Sequence, residues 1–92
     1  MKHLGSDVAA RLRQIMEVFH IADYIEMGEL CGASCSQVNN WLNDYNLPRV
    51  PEMIRLCDQI GITLDWVYRG HIGWMDPNLC KRLAKHAAQA DA

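Results

Sequence analysis

The sequence predicts an all-α domain, and three observations predict it. Sustained period-2 alternation is missing and β-branched residues are scattered, so strand signals are almost absent. Apolar residues recur instead at helical steps, as in Val8, Leu12, Ile15, Met16 and Phe19. Residues that start or stop helices fall between such runs: Asp23, Gly32, Ser34, Gly61, Thr63, Gly70 and the pair Asp76-Pro77. Six short helices and no sheet are expected.

Ser6 or Asp7 suits the cap of the first helix, whose stripe stops near His20-Ile21-Ala22. Asp23 caps a second helix that runs to Cys31, with Glu26 three residues on as in a capping box. Its inward positions are Tyr24, Met27, Gly28, Leu30 and Cys31. Glycine costs about 1 kcal/mol of helix propensity against alanine, so another helix is expected close over Gly28. Gly32 ends this helix, Ala33 extends the turn, and Ser34 caps a third helix from Cys35 to about Asp44.

Residues 45–50 read as loop. Pro51 fits the first position of a fourth helix, with Glu52 near its positive end and Ile54, Leu56, Cys57 and Ile60 as its apolar stripe. Gly61 closes it. Thr63 caps a fifth helix from Leu64 to Arg69, closed by Gly70. Asp76 and Pro77 open a last helix with Leu79, Leu83, Ala84 and Ala87 inward.

Ninety-two residues, half of them hydrophobic, allow one core and exclude a multidomain enzyme. With 9 Lys+Arg against 11 Asp+Glu the net charge is -2, so bulk charge will not hold nucleic acid or anionic lipid. A small, locally organised nucleic-acid site remains open. Asp7, Arg11 and Arg13 stand where a signal peptide needs its apolar stretch, and no apolar run is long enough to span a bilayer. A cytoplasmic protein with reduced thiols and no membrane contact is expected. The four cysteines include no C-x-x-C spacing, so no metal or other cofactor is expected. No catalytic signature surrounds any Cys or His; an enzyme is not expected. His20 reads as a core or boundary histidine, and Cys31 and Cys57 as small hydrophobes.

The third helix points to a function. At 100° per residue Val38, Trp41 and Leu42 share one side, and Ser36, Asn40 and Asn43 point the opposite way, flanked by Gln37 and Asn39. No charged residue occurs from Leu30 to Asn43. A solvated face ordinarily carries Lys and Glu. Amides and hydroxyls are the groups that hydrogen-bond base edges, and Asn or Gln can pair bidentately with adenine.

Here the chain resembles a known family. From about Leu12 to Gly70 it is similar to the lambda-repressor-like helix–turn–helix domain of the XRE and phage CI-repressor type. The resemblance is carried by Glu29-Leu30-Cys31-Gly32-Ala33-Ser34, then Val38 and Trp41, then Leu47-Pro48. It ends on Gly61-Ile62-Thr63-Leu64-Asp65-Trp66-Val67 through Gly70. It implies a compact five-helix domain over 1–70, a C-terminal helical extension over 71–92, and a third helix that enters the DNA major groove. By position Cys35, Ser36 and Asn40 would face bases. Ser34 and Asn43 would approach phosphates, and Arg49 matches a place where some relatives reach the backbone or the minor groove. Tyr24 stands where the family often has a phosphate-touching Gln, and Cys35 where Arg, Lys or Gln is common. Both remove donors, and residues 1–45 hold Lys2, Arg11 and Arg13 against Asp7, Glu17, Asp23, Glu26, Glu29 and Asp44. Weak non-specific affinity, or binding by two joined copies, is expected.

The densest apolar stretch, Trp66 to Met75, reads equally as core closure by the last helix or as a two-fold dimer seam through Trp66, Tyr68, Trp74 and Leu79. Two functions follow. One is a homodimeric, nucleoid-associated regulator, repressing by occupancy of a palindromic double-stranded operator. The other is an acidic interaction module or antagonist that has kept the fold and lost most DNA affinity.

Overall fold

Each of the six helices offers an apolar stripe, and the stripes meet in one core. The computed structural model describes residues 4–73 and 75–91, with side chains described over 6–73 and 75–85. In chain order the helices are α1 (Leu4–Val18), α2 (Tyr24–Cys31), α3 (Cys35–Leu42), α4 (Val50–Ile60), α5 (Leu64–Arg69) and α6 (Pro77–Asp91). Among the described residues there is no strand. α1 packs on α3, α5 and α6, while α2 packs on α3 and α4, and α4 on α5. The radius of gyration, 12.3 Å, is what a single packed domain of this length should have, so α6 folds back and does not trail.

Val8, Leu12 and Ile15 of α1 are fully buried and form the centre around which the other helices sit. Met27 and Cys31, Val38, Trp41 and Leu42, Met53 and Leu56, then Trp66 and Val67 complete the layer. α6 is strapped to α1 by three polar contacts. Gln14 Nε2 donates to the Leu83 carbonyl at 2.6 Å, and Arg82 donates to the Val18 carbonyl at 2.7 Å. The same guanidinium lies 5.4 Å over the Phe19 ring. Arg11 fastens α5 by donating to the Val67 carbonyl at 3.1 Å.

Several expectations need correction, among them the start of α4, which opens at Val50 with Pro51 in second place. α1 starts at Leu4, ahead of both proposed caps, and the Ser6 hydroxyl instead donates to Asp44 Oδ2 at 2.8 Å, joining α1 to the end of α3. On α4 it is Met53, not Ile54, that points inward; Ile54 is 45% exposed. Positions 53, 56, 57 and 60 follow the helical steps, and Ile54 lies well off that line. His20 is exposed and adopts a left-handed φ of 55° as it ends α1, so it is not a core histidine. Finally, Trp66 (6% exposed) and Leu79 (8%) are used within the chain to close the core, and neither is available to a dimer seam. Tyr68 is half-buried with its hydroxyl donating to the Pro48 carbonyl at 2.8 Å; Trp74 lies outside the described residues. Ala84 is exposed.

Candidate functional site

Local chemistry holds α2 and α3 in a fixed relation. Asp23 caps α2 by accepting from the Glu26 N–H at 2.9 Å. The Glu26 carboxylate reaches back one residue beyond the usual box, to the Ala22 N–H at 3.0 Å. Gly32 ends α2 in the left-handed region, φ 72°. The Gly28 carbonyl then accepts from the N–H groups of Gly32 and Ala33, the latter at 2.9 Å. What comes close over Gly28 is therefore the turn itself. A Cβ there would stand 2.5 Å from the Ala33 carbonyl oxygen and 3.6 Å from Val38 Cγ2.

α3 is fastened at both ends. Ser34 and Gln37 form a complete capping box, with the Gln37 N–H donating to Ser34 Oγ at 3.1 Å and the Ser34 N–H to Gln37 Oε1 at 2.8 Å. At the other end the Asn43 amide donates to the Asn39 carbonyl at 2.8 Å and to Asn39 Oδ1 at 3.0 Å. Arg13, from α1, donates to the Leu42 carbonyl. Val38, Trp41 and Leu42 are buried, as their spacing predicts, so the opposite side of α3 faces out.

The nine candidate binding residues divide into groups. Ser34, Cys35, Ser36 and Asn43 are exposed, and Gln37, Asn39 and Asn40 are half-buried on the same outward side. Gln37, Asn39 and Asn43 use side-chain atoms to hold the helix ends. Among the described residues no hydrogen bond engages the side chains of Ser36 or Asn40. Arg49 is exposed at the start of α4 and makes no side-chain cap bond. Tyr24 is half-buried and stands apart, lining a groove of about 510 Å³ with Arg13, Met16, Glu17, His20, Ile21 and Leu42.

Two basic residues stand near α3 in space. Arg13 lies at its C-terminal end. Arg55, exposed on α4, has its guanidinium carbon 3.1 Å from where a Cβ on Gly32 would be, so it covers the turn that leads into α3. Exposed Glu26 and Glu29 on α2 add negative charge nearby. Burial pushes the Cys31 thiol up to about 12, helped by the Glu52 carboxylate and Cys57, and pushes Cys57 up to about 11, helped by Asp58. Such thiols stay protonated and poorly nucleophilic.

Among the described residues no three His, Cys, Asp or Glu side chains are placed to hold a metal ion, and no helix is long and apolar enough to cross a membrane. No family model, curated protein or solved structure matches the chain.

Proposed function

We propose that the chain is a sequence-specific double-stranded DNA-binding regulator of the lambda-repressor-like type, a repressor by occupancy, with α3 as the helix that enters the major groove. The observation that carries this reading is the outward face of α3: hydroxyls and amides, uncharged, on a short helix fastened at both ends. Ser36 and Asn40 are the base readers, with Cys35 beside them at the helix start. Asn40 is suited to bidentate pairing with adenine. Ser34 and Asn43, at the two ends, approach phosphates, as do Arg49, Arg13 and Arg55. Gln37 and Asn39 chiefly keep the helix rigid, which limits the entropy lost on binding.

Selection of bound fragments from a genomic library gives the operator. On that operator Asn40→Ala should lower affinity by about 1–3 kcal/mol, the worth of one bidentate base contact, and relax preference at one position. Its circular dichroism and melting should match the parent chain. Unchanged discrimination between operator and scrambled duplex removes Asn40 from the interface.

The exposed acids of α2, Glu26 and Glu29, favour a second reading, an interaction module or antagonist with little DNA affinity. Salt separates the two. Affinity for duplex DNA that falls steeply with added salt belongs only to the first.

A further inference from the structure

The groove beside Tyr24 encloses about 510 Å³, within the roughly 300–1,000 Å³ of clefts that hold small ligands. Its lining is apolar at depth: Ile21 and Leu42 are buried, and Met16 and Tyr24 half-buried. Its rim is charged. Exposed Arg13 and Glu17 stand four residues apart on one face of α1, and both line the groove. His20 supplies a second, independent observation. The Ile21 N–H donates to the Met16 carbonyl at 2.8 Å and the His20 N–H to the Glu17 carbonyl at 3.3 Å, the paired bonds that close a helix over a left-handed residue. Glycine ordinarily takes that place. Here it is His20, at φ 55°, and its side chain lines the groove. Residues other than glycine held in this conformation gather at ligand clamps and active sites.

We propose that this groove is the site of a small-molecule effector, a free α-amino acid with a large apolar side chain. Charge selects this ligand. Side chains four apart on a helix are neighbours, with Cβ atoms about 5–6 Å apart, so one carbon that bears a carboxylate and an ammonium can meet Arg13 and Glu17 together. A simple anion would face the like charge of Glu17, and a simple cation that of Arg13. Arg13 donates to the Leu42 carbonyl and has further guanidinium N–H groups for a carboxylate. Glu17 has a contact of its own within the chain and contributes its charge. The imidazole of His20 adds a polar group at the rim, and the apolar side chain of the ligand lies on Met16, Ile21, Leu42 and Tyr24. The site itself stands on the groove, its charges and the strained histidine. Its consequence rests on the proposed DNA reading, in which Arg13 contacts phosphate at the end of α3. Amino acid and DNA then compete for one guanidinium, and each weakens the other by the same factor.

Calorimetric titration of the full chain, without DNA, tests the site with leucine, methionine and phenylalanine as probes. At least one should bind with a dissociation constant on the order of 1 mM or below. The matching acid, with the ammonium removed, and the matching amine, with the carboxylate removed, should each bind at least about tenfold more weakly. Glu17→Gln should weaken the amino acid by about tenfold with circular dichroism unchanged. His20→Gly should raise the melting temperature by relieving the left-handed strain, yet weaken the amino acid by about threefold or more, a pair of changes that a merely structural histidine would not give. Absence of saturable binding, an acid or amine that binds as tightly as the amino acid, or parental affinity in folded Glu17→Gln and His20→Gly overturns the proposal. Saturating amino acid should also lower duplex affinity by about tenfold, and a duplex affinity that does not move overturns the competition for Arg13. Failure of the DNA reading shows separately, as a chain that binds the amino acid and no duplex.

Discussion

Replacing Gly28 by alanine sets two known effects against each other. Alanine in a helix interior gains about 1 kcal/mol over glycine. Against this, the added methyl would stand 2.5 Å from the Ala33 carbonyl oxygen, a backbone atom that must retreat by roughly half an ångström to reach even 3.0 Å. The same turn is held by the Ala33 N–H donating to the Gly28 carbonyl at 2.9 Å, so retreat strains that bond as well. Overpacking in a closed site costs about 1–3 kcal/mol, and a weakened backbone hydrogen bond about 1 kcal/mol. The expected balance is a loss of about 1–3 kcal/mol, a fall in melting temperature of roughly 5–20 °C for a domain of this size. Urea and thermal unfolding followed by circular dichroism give the number. Gly61→Ala is the reference, since it meets no atom within 4 Å and carries only the penalty of its φ of 80°. A Gly28→Ala variant as stable as the parent, or more so, would refute the claim that the turn closes over Gly28.

Two further outcomes follow from the core. Trp41, 3% exposed, should cost about 3–5 kcal/mol as Trp41→Ala, a large part of the roughly 5–15 kcal/mol that holds a domain together, and a melt within a few degrees of the parent would show that the indole is not in the core. Burial keeps the Cys31 and Cys57 thiols protonated, so they leave folding stability level between about pH 7 and 8, where folded and unfolded thiols are both protonated, and make it fall as pH rises through 9 toward 11 and the unfolded chain alone releases protons. Urea midpoints across that range check this; Cys57→Ala should flatten the decline, and a parent chain equally stable at both ends contradicts the burial argument.

The parts of this molecule that were legible in its sequence are those set by neighbours in the chain. The caps Asp23, Ser34 and Thr63, and the stops Gly32, Gly61 and Gly70, lie where the sequence predicts because capping is a contact over two to four residues. The inward line of α3 is likewise local, three apolar residues at helical steps among polar ones. α4 misled because Met53 and Ile54 are adjacent and both apolar. Hydropathy ranks the isoleucine first, but packing against α2 and α5 takes the methionine. Trp66 and Leu79 misled for a different reason. Whether a large apolar residue closes a core or makes an interface depends on where α6 lands, and that is decided by long-range contacts such as Gln14 with Leu83 and Arg82 with Val18. Arg13 and Arg55 were invisible as companions of α3 for the same cause: 29 residues separate Arg13 from Leu42, the carbonyl it binds.

That long-range placement changes the electrostatic argument about α3. Counted along residues 1–45, the segment is acidic, and a groove-binding helix set in it would be repelled by phosphate. In space Arg13, already in that count, flanks one end of α3, Arg55 covers the turn at the other and Arg49 is exposed at the start of the next helix, with the exposed acids Glu26 and Glu29 nearby on α2. On the proposed reading these three supply phosphate contacts from outside a face that is itself neutral. Affinity and specificity are then carried by different residues, and removing an arginine would weaken all sequences alike. Three neutralised phosphates give a log–log salt slope near roughly -3 for one copy, a small electrostatic term at physiological ionic strength. Specific recognition by so few contacts is more readily met when a second copy doubles them.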